Sequence, residues 1–185
     1  KKPIYALKFG AGKKRILAWS QMHGNESTTT KALFDFFNTL KTKNDCIGKL
    51  LLECSFCIIP ILNPDGAERY TRFNANEVDL NRDAQKLSQP ESQVLKQVYM
   101  DFKPDYCLNL HGQRSIFSAG YSSNSSVMSF LSPAENEQRA VTKTRKKAME
   151  VILAINSAIK DELPNQVSRY DDGFNADCVG DSFQM

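Results

Sequence analysis

The sequence predicts an α/β domain with a largely parallel sheet, and three observations support this. Strand-like apolar segments alternate with amphipathic helical segments along the chain. An almost continuous apolar run at 51–62 is typical of a strand that is covered on both faces. The chain of 185 residues has the size of one ordinary domain, and its 41% hydrophobic and 24% charged residues are ordinary for a folded globular protein.

The first third of the chain is predicted to contain a hairpin, a helix and a buried strand. Strand-like segments at 4–9 and 15–21 flank the turn-forming segment GAGKK, which favours a hairpin. A helix is predicted over 27–43, capped by Ser27 or by a following threonine, because apolar side chains recur on one face. These are Leu33, Phe36, Phe37 and Leu40. The run at 51–62 then predicts a buried strand, which the segment NPDG ends.

The remainder of the chain is predicted to contain two helices and one short strand. A helix is expected over 89–102, because Pro90 suits a first helical turn and Pro104 lies just beyond the last turn. The segment DYCLNLH predicts another short buried strand, and a long amphipathic helix is expected from about 133 to 163.

Composition argues against several classes of partner. The net charge is only +3, and the one basic cluster, at 143–147, is typical of the solvated face of a helix, so no nucleic acid is expected. No apolar run is long enough to cross a bilayer, so no membrane association is expected either. The five cysteines are irregularly spaced, which is unlike a secreted disulfide scaffold and favours a cytoplasmic location. The oligomeric state is left open.

Polar motifs follow directly on three of the predicted strands. HGNE follows the strand at 15–21, NPDG follows the strand at 51–62, and HGQ follows the strand within DYCLNL. In open α/β sheets, ligands bind in the crevice outside the carboxyl ends of the strands. The two histidines of the chain are therefore expected at the same edge of the sheet.

A metal site is predicted at this edge. His23, Glu26 and His111 would supply two imidazoles and one carboxylate, which with an open fourth position is the composition of hydrolytic zinc sites. Gly24 would allow the chain to turn sharply between the first two ligands. Taken without its context, HGNE is also compatible with an ordinary polar loop.

The segment between the motifs carries groups that suit such a site. The guanidinium groups of Arg72 and Arg82 can polarise a carbonyl or bind a carboxylate in bidentate fashion. Asp79 can accept the second N–H of a ligating histidine. The alternative is a solvated loop whose charges pair among themselves.

The motifs HGNE, NPDG, RFNANEVDLNR and LNLHG, in this order between Ile16 and His111, resemble those of the zinc carboxypeptidase family. The resemblance implies a three-layer α/β/α sandwich with a mixed, mostly parallel sheet. It also implies one Zn²⁺ ion held by His23, Glu26 and His111, and a peptide substrate with a free C-terminal carboxylate.

The resemblance also assigns roles to individual residues. Arg72 would polarise the scissile carbonyl, Asn81 and Arg82 would bind the terminal carboxylate of the substrate, and Asp79 would hold the first histidine. Tyr170 would match the tyrosine that covers the substrate.

Two departures from the family pattern concern the chemistry. Asn109 stands where the family often has aspartate. The catalytic glutamate of the family comes late in its sequence, so the general base is expected beyond Met185. The 185 residues are accordingly expected to be a single catalytic domain that is incomplete at both ends.

The function expected from these motifs is that of a zinc-dependent metallocarboxypeptidase. A metal-activated water would attack a peptide bond next to a free carboxylate. One alternative is an amide deacylase of the aspartoacylase or succinylglutamate desuccinylase type, which shares H-x-x-E and a later histidine. A second alternative is an inactive domain that binds metal and peptide without cutting.

Overall fold

The computed structural model describes residues 2–42, 44–113, 116–170 and 173–184. The chain forms two compact units, Lys1–Gly112 and Gln113–Met185. The expectation of a single domain stays a prediction.

The first unit contains a four-stranded sheet and its covering helices. Its strands are β1 (Leu7–Gly10), β2 (Lys14–Ser20), β3 (Cys54–Ile59) and β4 (Tyr106–Leu110). Its helices are α1 (Thr28–Thr39), α2 (Asp45–Glu53), α3 (Pro64–Arg69) and α4 (Pro90–Phe102), with a 3-10 turn at Leu80–Arg82.

The sheet is mixed and mostly parallel, as predicted. Its strand order is β1-β3-β2-β4; β1 runs antiparallel to β3, whereas β2 runs parallel to both β3 and β4. The expected hairpin of β1 and β2 is wrong, because β3 lies between them. This apolar strand takes a central position, where neighbours on both sides complete its hydrogen bonds. The turn after β1 is tied to the start of β3, since the backbone N–H of Gly12 donates to the carbonyl of Cys54 (3.2 Å).

The two central strands of this sheet, β2 and β3, are covered on both faces. On one face, Phe56 of β3 stacks on Phe9 at 5.0 Å between ring centroids and packs among side chains of α1 and α2. Side chains alternate along a strand, so Leu17 and Trp19 of β2 point to the other face. They are buried as well, at 0% and 1% exposure. Burial on both faces is the packing expected of an α/β/α sandwich.

Helix α2, the start of β3 and the capping of α1 differ from the prediction. Helix α2 was not predicted, and the strand expected at 51–62 begins only at Cys54, because Leu51 and Leu52 belong to the end of α2. Only Glu53 stands between the apolar residues of α2 and those of β3, so the sequence gives little sign of the boundary between helix and strand. Ser27 is the N-cap residue of α1, but its side chain makes no capping hydrogen bond.

Hydroxyl groups anchor the start of α1 to the carboxyl edge of the sheet. The Ser20 hydroxyl lies 2.7 Å from the Thr29 hydroxyl and 2.9 Å from the Thr30 hydroxyl. Thr30 also donates to the carbonyl of Pro60 (3.0 Å), just after β3. These bonds fix the point at which the chain leaves β2.

The three parallel strands end at the same level. Trp19 pairs with Ile59 of β3 on one side, and Ser20 pairs with Leu110 of β4 on the other. The segments that follow these strands therefore start from one edge, as the positions of the motifs predict.

In the residues of the second unit that the structure describes, the chain forms a short parallel strand pair and two helices. Its elements are β5 (Met128–Phe130), α5 (Lys143–Ile159), β6 (Val167–Arg169) and α6 (Val179–Ser182). The helix expected from about 133 to 163 is shorter than predicted. It begins at Lys143, where the Thr142 side chain caps it by accepting from the backbone N–H of Arg145 (3.2 Å). Within the described part of the chain, no helix is both long and apolar enough to cross a membrane.

Asp83, in the first unit, is a buried carboxylate that accepts hydrogen bonds from the segment just before α4. It is 2% exposed and accepts from the backbone N–H (3.0 Å) and hydroxyl (2.7 Å) of Ser88 and from the backbone N–H of Gln89 (3.0 Å). Burial alone raises the pKa of the Asp83 carboxyl, but these hydrogen bonds outweigh burial and lower that pKa below its ordinary value.

Asp83→Asn is expected to lower the free energy of unfolding by about 1–3 kcal/mol at pH 7, because an amide N–H would face the donor of Gln89. A lowered folded-state pKa stabilises the protein above the unfolded pKa of about 4, and this contribution is lost as the pH falls through the folded value. Denaturant unfolding at pH 7 and pH 3 should therefore show the difference between variant and wild type shrink in acid. Asp35→Asn, at an exposed position of α1, is the control. A pH-independent difference would contradict the prediction.

Candidate metal centre

The loop that follows β2 carries His23 and Glu26 and turns back on itself. Gln21 adopts a left-handed conformation (φ 45°), and its side-chain N–H donates to the carbonyl of Gly24 (2.7 Å). The backbone N–H of Glu26 donates to the carbonyl of His23 (3.0 Å), which closes the turn. His23 and Glu26 therefore face the same side of the loop.

Gly24 is required by close packing of two backbones. A Cβ at this position would lie 1.9 Å from the carbonyl carbon of Gly66 and 2.3 Å from the nitrogen of Ala67, in the middle of α3. No side chain fits there unless the backbone moves. The sharp turn between the ligands was predicted from Gly24, but its role in packing against α3 was not.

The three predicted metal ligands lie together. The candidate ligand atoms of His23, Glu26 and His111 all lie within 4.8 Å of one another. Glu26 Oε1 lies 2.9 Å from His23 Nδ1, and Glu26 Oε2 lies 3.0 Å from His111 Nδ1. The two imidazole rings thus turn the same nitrogen toward one carboxylate. Two nitrogens and one oxygen form a donor set that fits Zn²⁺ and leaves a fourth position open.

A backbone donor next to His111 orients the carboxylate of Glu26. The N–H of Gly112 donates to Glu26 Oε2 (2.9 Å). A Cβ on Gly112 would lie 3.1 Å from the Cβ and Cγ of Glu26, which is tighter than an ordinary contact. The glycine after the histidine in the HGQ motif is the sequence signal for this close contact with Glu26, but the contact was not predicted from it.

Contacts within the group shift the pKa values of Glu26 and His23 in opposite directions. Burial alone raises the pKa of Glu26, but hydrogen bonds with His111 and His23 outweigh burial and hold that pKa well below its ordinary value. Burial alone lowers the pKa of His23, but hydrogen bonds with Asp79 and Glu26 outweigh it, and the net pKa of His23 is raised. An ionised carboxylate is a ready metal ligand, whereas His23 must give up its Nδ1 proton before that nitrogen can bind a metal.

Asp79 holds His23 from the side opposite Glu26. Its Oδ1 lies 3.1 Å from His23 Nε2 and also accepts from the backbone N–H of Asn81 (2.8 Å). Because Nε2 of His23 is hydrogen-bonded to Asp79, its Nδ1 faces Glu26 and His111. A carboxylate on the second ring nitrogen is the usual arrangement that orients a ligating histidine. Burial alone raises the pKa of Asp79, but the hydrogen bond with His23 and the nearby charges outweigh burial and lower that pKa strongly.

Arg72 lies directly beside this group. Its Nε and Nη2 donate to Asp79 Oδ2 at 3.1 and 2.9 Å, and its Nη1 lies 3.6 Å from Glu26 Oε1. The Arg72 side chain is 41% exposed, and its Nη1 also lies 3.2 Å from His23 Nδ1. Asn25 links the two loops, because its backbone N–H donates to the carbonyl of Thr71 (3.1 Å).

Asn81 and Arg82 follow Asp79 in the 3-10 turn, which buried Leu80 anchors at 1% exposure. Arg82 is exposed and donates through Nη1 to the carbonyl of Asn81 (2.8 Å).

Tyr170 belongs to the second unit, where it follows β6, is 55% exposed and donates its backbone N–H to the carbonyl of Phe130 (2.8 Å). Its predicted role in covering the substrate stays a prediction.

Comparison with known proteins defines the class. The family model for zinc carboxypeptidases matches residues 1–181, and the chain belongs to this family. Carboxypeptidase 2 of Trichophyton rubrum is 27% identical over 100 residues, which cover 53% of this chain and 19% of that protein. Carboxypeptidase SOL1 of Arabidopsis thaliana is 32% identical over 104 residues, which cover 49% of this chain and 21% of that protein.

Solved structures share the fold. A metallo-carboxypeptidase from Burkholderia cenocepacia superimposes with a TM-score of 0.73 at 19% identity, covering 98% of this chain and 48% of that chain. Carboxypeptidase A from Helicoverpa armigera gives a TM-score of 0.70 at 18% identity, covering 97% and 52%. The chain thus spans about a fifth of the curated relatives and about half of these structures.

Proposed function

We propose that the protein is a zinc-dependent metallocarboxypeptidase that hydrolyses the peptide bond next to a free C-terminal carboxylate. The observation that carries the proposal is the convergence of His23, Glu26 and His111 on one point, with the Arg72–Asp79 pair beside them. A bound Zn²⁺ would supply a Lewis acid and lower the pKa of a water at the open position.

In this proposal, Asp79 and Arg72 orient a metal ligand and stabilise the developing negative charge. Asp79 holds His23 in the tautomer that offers Nδ1 as a ligand. Arg72 donates to the carbonyl oxygen of the scissile bond as negative charge develops there. Its bond to Asp79 fixes the guanidinium before substrate binds, so little reorganisation is needed. The general base expected beyond Met185 stays a prediction.

Substrate register is proposed to come from the 3-10 turn. Arg82, with Asn81 beside it, binds the terminal carboxylate, because a guanidinium matches a carboxylate with two parallel hydrogen bonds. Only a peptide bond close to a carboxyl terminus then reaches the metal. A peptide with a free terminal carboxylate is accordingly the proposed substrate.

The function is tested by comparing substrates on the zinc-loaded full-length protein. Release of the last residue from a peptide with a free carboxylate, and none from the same peptide with a C-terminal amide, supports the proposal. Activity only on N-acyl amino acids would point to a deacylase. Binding of the peptide without cleavage would point to an inactive binding domain.

Arg82→Ala is expected to leave the zinc content unchanged and to raise KM for a C-terminal peptide by roughly 10- to 100-fold, the loss of a hydrogen-bonded ion pair. Steady-state kinetics and zinc analysis of the same preparation check this. Lys86→Ala removes an exposed positive charge on the same segment and should change neither quantity. Equal losses in both variants would show a general charge effect and remove Arg82 from its proposed role.

A further inference from the structure

Residues 74–78 form a tight loop between Arg72 and Asp79, and Asn74 closes it. The backbone N–H of Asn74 donates to the carbonyl of Val78 (3.1 Å). Its side-chain Oδ1 accepts from the backbone N–H groups of Asn76 and Val78, both at 3.0 Å. The path of the chain from Arg72 to Asp79 is thus set by one side chain.

The first turn of α4 holds the same side chain from the other side. Asn74 is 3% exposed, and its Nδ2 donates to Gln89 Oε1 (2.9 Å) and Glu91 Oε2 (3.2 Å), which belong to residues that are themselves only 7% and 6% exposed. An asparagine amide has two N–H donors and two acceptor positions, and here all four are used. Aspartate has the same shape but lacks the two donors and would place a second carboxylate against Glu91.

The two ends of this loop are the groups next to the candidate metal ligands. Arg72 and Asp79 meet through two hydrogen bonds, and Asp79 in turn lies 3.1 Å from His23 Nε2. A shift of the loop would therefore move the guanidinium relative to the ligands, even though Asn74 is not among the residues that contact them in the structure.

We propose that Asn74, held by Glu91, is the positioning residue that sets Arg72 relative to the metal centre. Asn74 acts through Arg72 and Asp79 and touches neither metal nor substrate. The kinetic part of this inference rests on the proposed carboxypeptidase function, because the placement of Arg72 matters for the oxyanion in that reaction.

The first test is Asn74→Asp in the zinc-loaded full-length protein. We expect kcat per zinc-bound molecule to fall by roughly 10- to 100-fold with KM nearly unchanged, since a displacement of about 1 Å at a catalytic group can cost that much. Leu95→Ala, at a 2% exposed position of α4, should lower the melting temperature and keep kcat, which separates positioning from stability. A kcat for Asn74→Asp within threefold of wild type overturns the proposal.

The second test is rescue by Glu91→Gln. The amide that this substitution introduces can donate to the carboxylate introduced by Asn74→Asp, so the bond is restored with its polarity reversed. We expect the double variant to recover about tenfold or more in kcat over Asn74→Asp, as coupled neighbours do. A double variant no faster than Asn74→Asp overturns the role of Glu91.

A third readout does not depend on activity. In the zinc-free protein, Asn74→Ala removes the acceptor for two backbone N–H groups, so amide hydrogen exchange at Asn76 and Val78 should speed up by about tenfold or more. Unchanged exchange overturns the loop-closing role. Faster exchange in Asn74→Ala, combined with no peptide cleavage by the wild-type protein, would instead refute the proposed function and leave the structural part of the inference standing.

Discussion

Replacing His23 or His111 with alanine is expected to abolish stoichiometric zinc in the full-length protein, and with it all peptide hydrolysis. Each substitution removes one of the three protein donors that converge within 4.8 Å. Catalytic zinc sites use three protein ligands and one water, so two donors do not hold the ion firmly. Zinc analysis of purified variants, with circular dichroism to confirm folding, is the measurement.

The chain offers no histidine as a control, because His23 and His111 are the only two. Cys46→Ala removes an exposed thiol, another group that zinc favours, and should leave one zinc per chain. Full zinc occupancy in either histidine variant would refute the site.

Arg72→Ala is expected to lower kcat by roughly 10²- to 10³-fold while zinc stays bound and KM changes little. A donor aimed at the oxyanion acts mainly in the transition state, so its loss appears in kcat. Because the guanidinium is fixed by Asp79 through two bonds at 3.1 and 2.9 Å, Arg72→Lys should recover only part of the rate. Single-turnover kinetics on a C-terminal peptide would measure both effects.

Arg69→Ala is the matched control, because Arg69 lies three residues earlier, on the exposed end of α3. It should retain wild-type kcat. A kcat for Arg72→Ala within fivefold of wild type would remove Arg72 from the catalytic role and leave it as a partner of Asp79.

The sequence predicted the sheet edge better than the sheet itself. HGNE and HGQ follow apolar strands, and parallel strands end at one edge, so the meeting of His23 and His111 followed from simple topology. Strand order depends on long-range pairing that local patterns do not encode. The position of β3 between β1 and β2 was therefore not predicted, and neither was α2, whose apolar residues are separated from those of β3 only by Glu53.

The motifs in the sequence pointed to several charged groups that lie together in the structure, but not to the groups that support them. His23, Glu26, Arg72 and Asp79 stand out in a sequence because their side chains carry recognisable chemistry. The backbone N–H of Gly112 and the amide of Asn74 do not, since every residue but proline has the first and asparagine is common in turns. Their roles depend on distances that only the folded chain fixes.

The contacts of Gly24 and Asn25 have a consequence for building chimaeras from related enzymes. Gly24 packs against the middle of α3, and the backbone N–H of Asn25 donates to the carbonyl of Thr71, the residue just before Arg72. The segment with the first two candidate ligands and the segment with Arg72 therefore pack together as one structural unit. We expect that a loop transplanted at 67–82 must be accompanied by its own 21–26 segment, because the graft would otherwise displace the candidate metal ligands without replacing any of them.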